Sequence, residues 1–339
     1  MASVRLKVKR CVTFLAAGAL LAACGQATDS DSVDASDAKK QLRVGVIYLD
    51  SQGFYAGVKK GIETAAAADS QLKLLGNNAQ GDAAKESSFM STLVASRVDA
   101  IITSAVSATA STPAIAAASK AGIPVVCYNT CINDEDAKKY VWGYVLSDPY
   151  VFGKKLGEQA GAYFTAQKID KPKIAVLNCD FVEVCKERKR GFKDGLAASV
   201  PGAEYVADQE GAIVDKATPV AENIITANPE LDAFYAVAGG GTLAGVKAVT
   251  TRDRIGKTVV FGSDMTVDIA KALVDGSILK AEIDVPAQTV GNLAYQAARK
   301  ASEGAKNDAF VIPVEPILYT ADDKATNEKW LAEHSDGIP

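Results

Sequence analysis

Along this chain, short β-branched runs alternate with longer segments in which apolar residues recur at helical spacing. The runs Arg43–Tyr48, Ala100–Thr103, Pro124–Cys127, Lys173–Leu177, Ala233–Ala236, Thr258–Phe261 and Lys280–Ile283 read as strands. Between them the pattern predicts helices over Gly53–Asp69, Lys85–Ser96, Thr109–Ala121, Val151–Gln167, Cys185–Ser199, Lys216–Ala227, Leu243–Thr250, Val267–Asp275 and Thr289–Glu303. Continuously apolar strands separated by helices imply parallel sheets covered on both faces. Alanine-rich stretches such as Thr64–Ala68 and Ala114–Ala118 let helices approach those sheets closely. Each half of the chain repeats strand, helix, strand, helix. The predicted class is therefore α/β, with two doubly wound parallel-sheet lobes. In such sheets a ligand binds off the carboxyl ends of the strands, so the loops after the strands carry the function.

The first residues break this pattern. Arg5, Lys7, Lys9 and Arg10 precede an apolar run from Cys11 to Ala23. At about 13 residues the run is shorter than the roughly 20 needed to span a bilayer, and it reads as a secretory signal peptide over residues 1–23. Leu21-Ala22-Ala23-Cys24-Gly25 looks like a bacterial lipobox, in which Cys24 is lipidated and anchors the chain outside the cytoplasmic membrane. The competing reading is a secreted protein cut at an Ala-x-Ala-like site. Residues 24–41, rich in Ser and Asp and without aromatics, read as a disordered tether. No later stretch is long and apolar enough to suggest a second membrane segment.

Composition narrows the function. A net charge of −4 argues against a nucleic-acid partner, and the basic cluster Lys186–Arg190 reads as a helix face. A single histidine, His334, leaves no material for a His-based triad or metal cluster in the core. There is no Gly-x-Ser-x-Gly elbow, Walker loop or dinucleotide fingerprint. Neither an enzyme nor a cofactor is expected.

Five blocks, in order, resemble the type I periplasmic binding proteins, and among them the ribose-binding-like branch that serves sugar ABC importers. They are VGVIYLDSQGFYAGVKKG (44–61), AGIPVVCYNT (121–130), LSDPYVFGKKLGEQAG (146–161), CKERKRGFKDGL (185–196) and VVFGSDMTVDIAKALVDGSI (259–278). The resemblance implies an N-terminal lobe of residues 42–147 plus 286–313 and a C-terminal lobe of 148–285 plus 314–339. Three crossing segments would join lobes that close on a solute, and a monomer would deliver that solute to a permease. It also implies binding roles. Gln52 would supply a polar contact, while Phe54 and Tyr55 would stack on the ligand, unless one of them packs the lobe. Asn129 stands where Asp is usual and Thr130 where ribose binders carry Arg. Arg188 would grip two oxygens, its bland alternative being a surface ion pair. Asp264 would accept from two hydroxyls, its alternative being a helix N-cap. Ala238 replaces a common Asn, and Asp284 replaces a Gln before the hinge proline. Fewer donors than the family pattern favour a pentose or a short linear polyol. The alternatives are a sensory subunit for a membrane kinase or chemoreceptor, and a different solute such as an autoinducer furanose, an amino acid or a nucleoside. The triplet Gly239-Gly240-Gly241 reads as a flexible loop, or as amides able to cradle a phosphate.

Beyond Cys11 and Cys24, four cysteines remain, and they allow three pairings. An exported chain can keep disulfides. Cys127–Cys131 and Cys179–Cys185 would each close a small loop at a strand end, the second enclosing Phe181 beside the cleft. A bridge between lobes would lock the hinge. A four-cysteine zinc site is the rival, although the spacings lack a zinc knuckle.

Overall fold

The structure, a computed structural model, describes residues 41–339. The signal peptide, Cys24 and nearly all of the tether lie outside the described residues. Two six-stranded sheets organise the rest. The first contains β1 (Leu42–Tyr48), β2 (Leu72–Asn78), β3 (Ala100–Thr103), β4 (Val125–Tyr128), β5 (Gly143–Leu146) and β11 (Val311–Pro313). Its spatial order is β11-β5-β4-β3-β1-β2, parallel throughout. The second contains β6 (Lys173–Asn178), β7 (Glu204–Glu210), β8 (Ala233–Ala236), β9 (Val259–Ser263), β10 (Leu279–Asp284) and β12 (Ile317–Thr320). Its order, β12-β10-β9-β8-β6-β7, repeats the first, except that β12 runs antiparallel to β10.

Helices cover both faces of each sheet. α1 (Gly53–Ala67) and α10 (Ala287–Ser302) lie on one face of the first, with α2 (Ala83–Ala95), α3 (Thr112–Lys120) and the short α4 (Asp134–Tyr140) on the other. α5 (Pro149–Gln167) and α6 (Glu183–Ala197) lie on one face of the second. The opposite face carries α7 (Val214–Ala227), α8 (Gly239–Thr251), α9 (Val267–Asp275) and α11 (Lys324–Glu333). The result is two α/β lobes, as the alternation predicts.

The chain passes between the sheets after β5, after β10 and after β11. α5 therefore follows the last inner strand of one sheet but packs on the other, and α10 makes the reverse exchange. Each exchange begins with a helix start that the sequence specifies. Asp148 accepts from the N–H groups of Tyr150 and Val151, with Pro149 in the first turn. Pro286 precedes α10 directly.

Several elements escape the apolar pattern, for physical reasons. β2 and β7 are edge strands with half-exposed faces, so neither presents a continuous apolar run. β5 alternates over four residues only. β11 is largely exposed, and α4 and α11 are polar helices that bury little. In α11 the burial falls to Trp330 and Asn327, whose amide donates to the Thr320 carbonyl. Beyond α11 the chain returns to the first lobe, where Asp336 pairs with Lys60 at 2.7 Å.

Candidate ligand-binding cleft

A cavity of about 480 Å³ opens where the carboxyl ends of the two sheets face each other. Asn129 and Asp264 enter it by the same backbone device. Each is the first residue past its strand, and each has a left-handed backbone, with φ of 56° and 64°. Each N–H still donates to the neighbouring strand, Asn129 to Val145 O and Asp264 to Ile283 O, both at 3.0 Å. The reversal of φ turns the side chain off the sheet, and Asn and Asp are the non-glycine residues that tolerate it best.

On the first lobe, the Asn129 amide donates to the Tyr55 hydroxyl at 3.0 Å. The Asn129 carbonyl accepts from Tyr144 at 2.7 Å. Burial raises the Tyr55 pKa, so the phenol stays a neutral donor and acceptor. Phe54 meets Tyr55 edge-on, and both line the cavity. Thr130 lines it too, although its hydroxyl is already engaged with Ser104 and the Ala105 carbonyl.

The second lobe supplies charge. Arg188 sits on α6, and α6 lies against α5 backbone to backbone. A Cβ on Gly153 would stand 1.8 Å from the Arg188 carbonyl oxygen, so only glycine permits this approach. Phe152 then lies under the guanidinium, 3.8 Å from its centre to the ring centroid. Nη1 of Arg188 donates to Asp264 Oδ1 at 2.9 Å and to the Val237 carbonyl at 3.1 Å. Nε of Arg188 is buried without a partner. The second Asp264 oxygen accepts from Gly239 N at 3.2 Å.

Asp284 closes the floor at the end of β10, where its Oδ1 accepts from Met265 N at 3.0 Å. Burial pushes its pKa up to about 8; Asp264 adds to that rise, while the Met265 N–H and Arg188 oppose it. Glu282, two residues back on the same strand face, is fully buried, and neither of its carboxyl oxygens has a partner. Its pKa is raised in turn by burial and by the neighbouring acids. At neutral pH the floor therefore presents Asp284 mainly as a protonated carboxyl, able to donate as well as accept.

Of the residues singled out from sequence, Phe54, Tyr55, Asn129, Thr130, Arg188, Ala238, Asp264 and Asp284 share this one cavity. Gln52 and Phe181 do not. Gln52 holds the N-cap position of α1 with an exposed side chain, its carbonyl accepting from Tyr55 and Ala56. Phe181 is 66% exposed. It occupies a corner of the turn closed by Val182 N on the Cys179 carbonyl, and such a corner projects outward. Val182 and Val184 line the cavity in its place, with Val214, Leu243 and Met265. No polarity signal marks those residues. Glu282 was findable, because Lys280, Glu282 and Asp284 alternate along an otherwise apolar strand.

Two alternatives fall away and one expectation, for the glycine triplet, changes. Asp264 does not cap α9; Thr266 does, accepting from Ile269 N. The Arg188 ion pair is a cleft contact with Asp264, not a surface one. The glycine triplet is neither a flexible loop nor a free anion cradle, since it forms the first turn of α8. A Cβ on Gly240 would stand 2.0 Å from the Ala212 carbonyl oxygen, and the Gly239 amide already holds Asp264. The cysteines are joined as Cys127–Cys131 and Cys179–Cys185, which takes all four away from any zinc site. Cys185 forms part of the cavity wall.

Against known proteins, residues 44–306 match the family model described as periplasmic binding protein domain. The chain belongs to that family. This binding protein is 48% identical over 303 residues to the ABC transporter periplasmic-binding protein YphF of Escherichia coli (strain K12), covering 89% of this chain and 92% of that one. It is 28% identical over 280 residues to the ribose import binding protein RbsB of Bacillus subtilis (strain 168), covering 79% and 84%. An ABC transporter periplasmic solute binding protein from Actinobacillus succinogenes 130z, solved with bound D-allose, shares the fold. The TM-score is 0.76 at 22% identity, covering 85% of this chain and all of that one. The family is an extracytoplasmic, non-enzymatic solute-binding class of sugar ABC transporters. No helix among the described residues is long and apolar enough to cross a membrane.

Proposed function

We propose that this chain is the solute-capturing subunit of a carbohydrate ABC importer and that its ligand is a pentose or a short linear polyol. Anchored outside the cytoplasmic membrane through a lipidated Cys24, it would hand that ligand to the permease. The observation that carries this reading is the cavity itself: a few convergent polar groups from both lobes, set among aromatic and aliphatic walls. Residues 42–147 plus 286–313 form one moving body and residues 148–285 plus 314–339 the other, hinged where the chain crosses, except that the end of the tail, from Asp336, rests on the first body. Closure excludes water and strengthens each hydrogen bond to the ligand. Asn129 and Tyr55 address the ligand from one side, and Arg188, Asp264 and Asp284 from the other. Thr130 and Ala238 offer fewer free donors than the family pattern, which disfavours a full hexose. The ribose-binding relative supports a five-carbon ligand.

A thermal-shift screen over pentoses, polyols, hexoses and amino acids, followed by calorimetry, tests the reading. Micromolar or tighter binding of a pentose or polyol is expected, with glucose and galactose silent. Tight hexose binding would sink the five-carbon assignment.

A further inference from the structure

The polar groups of the cleft are not spread evenly around it. In the second sheet, strands next to the crossings carry the acids: Asp284 ends β10 and Asp264 follows β9. Farther out, over β8, β6 and β7, the cavity wall is Ala238, Val182, Val184, Ala212, Val214 and Leu243, without a polar side chain among them. Arg188 is borne by the outer helix α6, yet its Nη1 reaches inward to Asp264 and the Val237 carbonyl, and its unpartnered Nε is buried. The first sheet repeats the gradient. Asn129 and Thr130 follow β4 near the crossings, while the outer strand β1 leads to Gly53, Phe54 and Tyr55, whose one polar group, the hydroxyl, is turned inward to Asn129.

We infer that the cleft is built for a two-ended solute: hydroxyls at the hinge end, and a deoxy or methyl terminus against the aliphatic outer wall. This rests on the carbohydrate reading above and sharpens its ligand class. A hydroxyl lodged in the outer half would lose its water without gaining a partner, whereas a methyl group there gains burial. A wall of this kind discriminates by roughly ten- to hundredfold between a methyl terminus and its hydroxylated counterpart.

The experiment is calorimetry of the mature protein on matched pairs. D-Ribose is compared with 5-deoxy-D-ribose, ribitol with its terminal deoxy form, and other pentoses and pentitols likewise. Hexoses are paired with their 6-deoxy forms in parallel, so the preference is read even if the five-carbon assignment fails. In the pairs that bind, the deoxy member should bind at least tenfold tighter. Val184→Thr and Val214→Thr keep side-chain shape while adding a hydroxyl, and each should shrink that ratio severalfold. Equal or tighter binding of the hydroxylated members, or a ratio unmoved in both variants, overturns the inference and leaves the carbohydrate reading standing. If no carbohydrate of either type binds, the carbohydrate reading falls and the inference with it.

Discussion

The two lobes share strand order and strand-end geometry, but they furnish the cleft with opposite chemistry. Asn129 and Asp264 occupy equivalent positions, one past β4 and one past β9, with the same left-handed backbone and the same donation to the neighbouring strand. The next strand inward continues the contrast. Pairing sets Val145 of β5 opposite Tyr128, as it sets Ile283 of β10 opposite Ser263. Tyr144 and Leu146 in the first lobe therefore correspond to Glu282 and Asp284 in the second. One frame, used twice, gives a jaw of amide and phenol groups and a jaw of acids, one paired with Arg188 and one, Asp284, held protonated by burial. The fold fixes where a side chain enters the cleft; the residue placed there decides what it can hold.

The largest difference should appear with pH. Both Asp284 and Glu282 have folded-state pKa values above their unfolded ones, chiefly through burial. The contribution of Asp284 to stability is therefore complete below the unfolded carboxyl pKa, near 4, and is lost as pH rises through about 8, and Glu282 acts in the same sense. Carboxyls held low in the fold, such as Asp69 beside Tyr295 and Arg299, act in the opposite sense and below that window. Chemical denaturation should show stability falling by a few kcal/mol between about pH 4 and pH 8. The double variant Glu282→Gln, Asp284→Asn should flatten that profile. A parent profile that is flat or rises with pH would show that these acids are ionised in the fold.

Next in size are the glycine contacts that set each lobe's helix pair. A Cβ on Gly153 meets the Arg188 carbonyl at 1.8 Å, and one on Gly291 meets the Val58 carbonyl at 2.1 Å. Gly153→Ala and Gly291→Ala should each destabilise by about 3 kcal/mol, since backbone must move in both cases. Calorimetric melting checks this. Only Gly153→Ala displaces the residue that carries the charged contact, so ligand affinity should fall for it and change little for Gly291→Ala.

Side-chain deletions at the equivalent strand ends then measure the asymmetry directly. Asp264→Ala removes a carboxylate and leaves the Arg188 guanidinium, 13% exposed, without its counter-charge. Asn129→Ala removes a neutral amide. Expected losses in ligand affinity are about a hundredfold for the first and about tenfold for the second. Equal losses would mean that charge confers no advantage on the second jaw.

Much of this contrast was legible in sequence. Buried parallel strands announce themselves as apolar runs, so β3 and β8 are found at their observed limits. Motif context placed Arg188, Asp264 and Asn129 in one cleft. Edge strands were lost because their exposed faces dilute the pattern, as in β7, where Glu204–Glu210 is nowhere fully buried. Gln52 and Phe181 were misplaced because residue type and loop position do not give side-chain direction. That direction depends on a cap in one case and a turn corner in the other. The aliphatic outer wall left no sign at all, since valines that line a cavity and valines that fill a core look alike in one dimension.

The smallest of these effects concerns the two disulfides, which are also set one in each lobe. Cys127–Cys131 encloses Tyr128, Asn129 and Thr130, and Cys127 itself is buried in the first lobe's core. Cys179–Cys185 encloses the loop from Asp180 to Val184, and Cys185 faces the cavity. By the chain-entropy relation each short loop contributes about 2 kcal/mol, so removing either pair should lower stability by a similar amount. Affinity should divide them differently. The first loop is also held by Tyr144 on the Asn129 carbonyl and by Thr130 on the Ala105 carbonyl, which keep its shape without the bridge. The second has two internal turn bonds, Val182 N on Cys179 O and Cys185 N on the Val182 carbonyl, and is held from outside by Asp180, whose N–H donates to Asn178 Oδ1 and whose carboxylate pairs with Lys189. Both loops thus keep other ties, but Cys185 is part of the cavity wall, so replacing Cys179 and Cys185 by Ser should weaken ligand binding severalfold, whereas the same change at Cys127 and Cys131, which do not line the cavity, should leave it nearly unchanged. Intact-mass analysis with and without reductant comes first, because four free thiols in the native protein would remove the basis for both expectations.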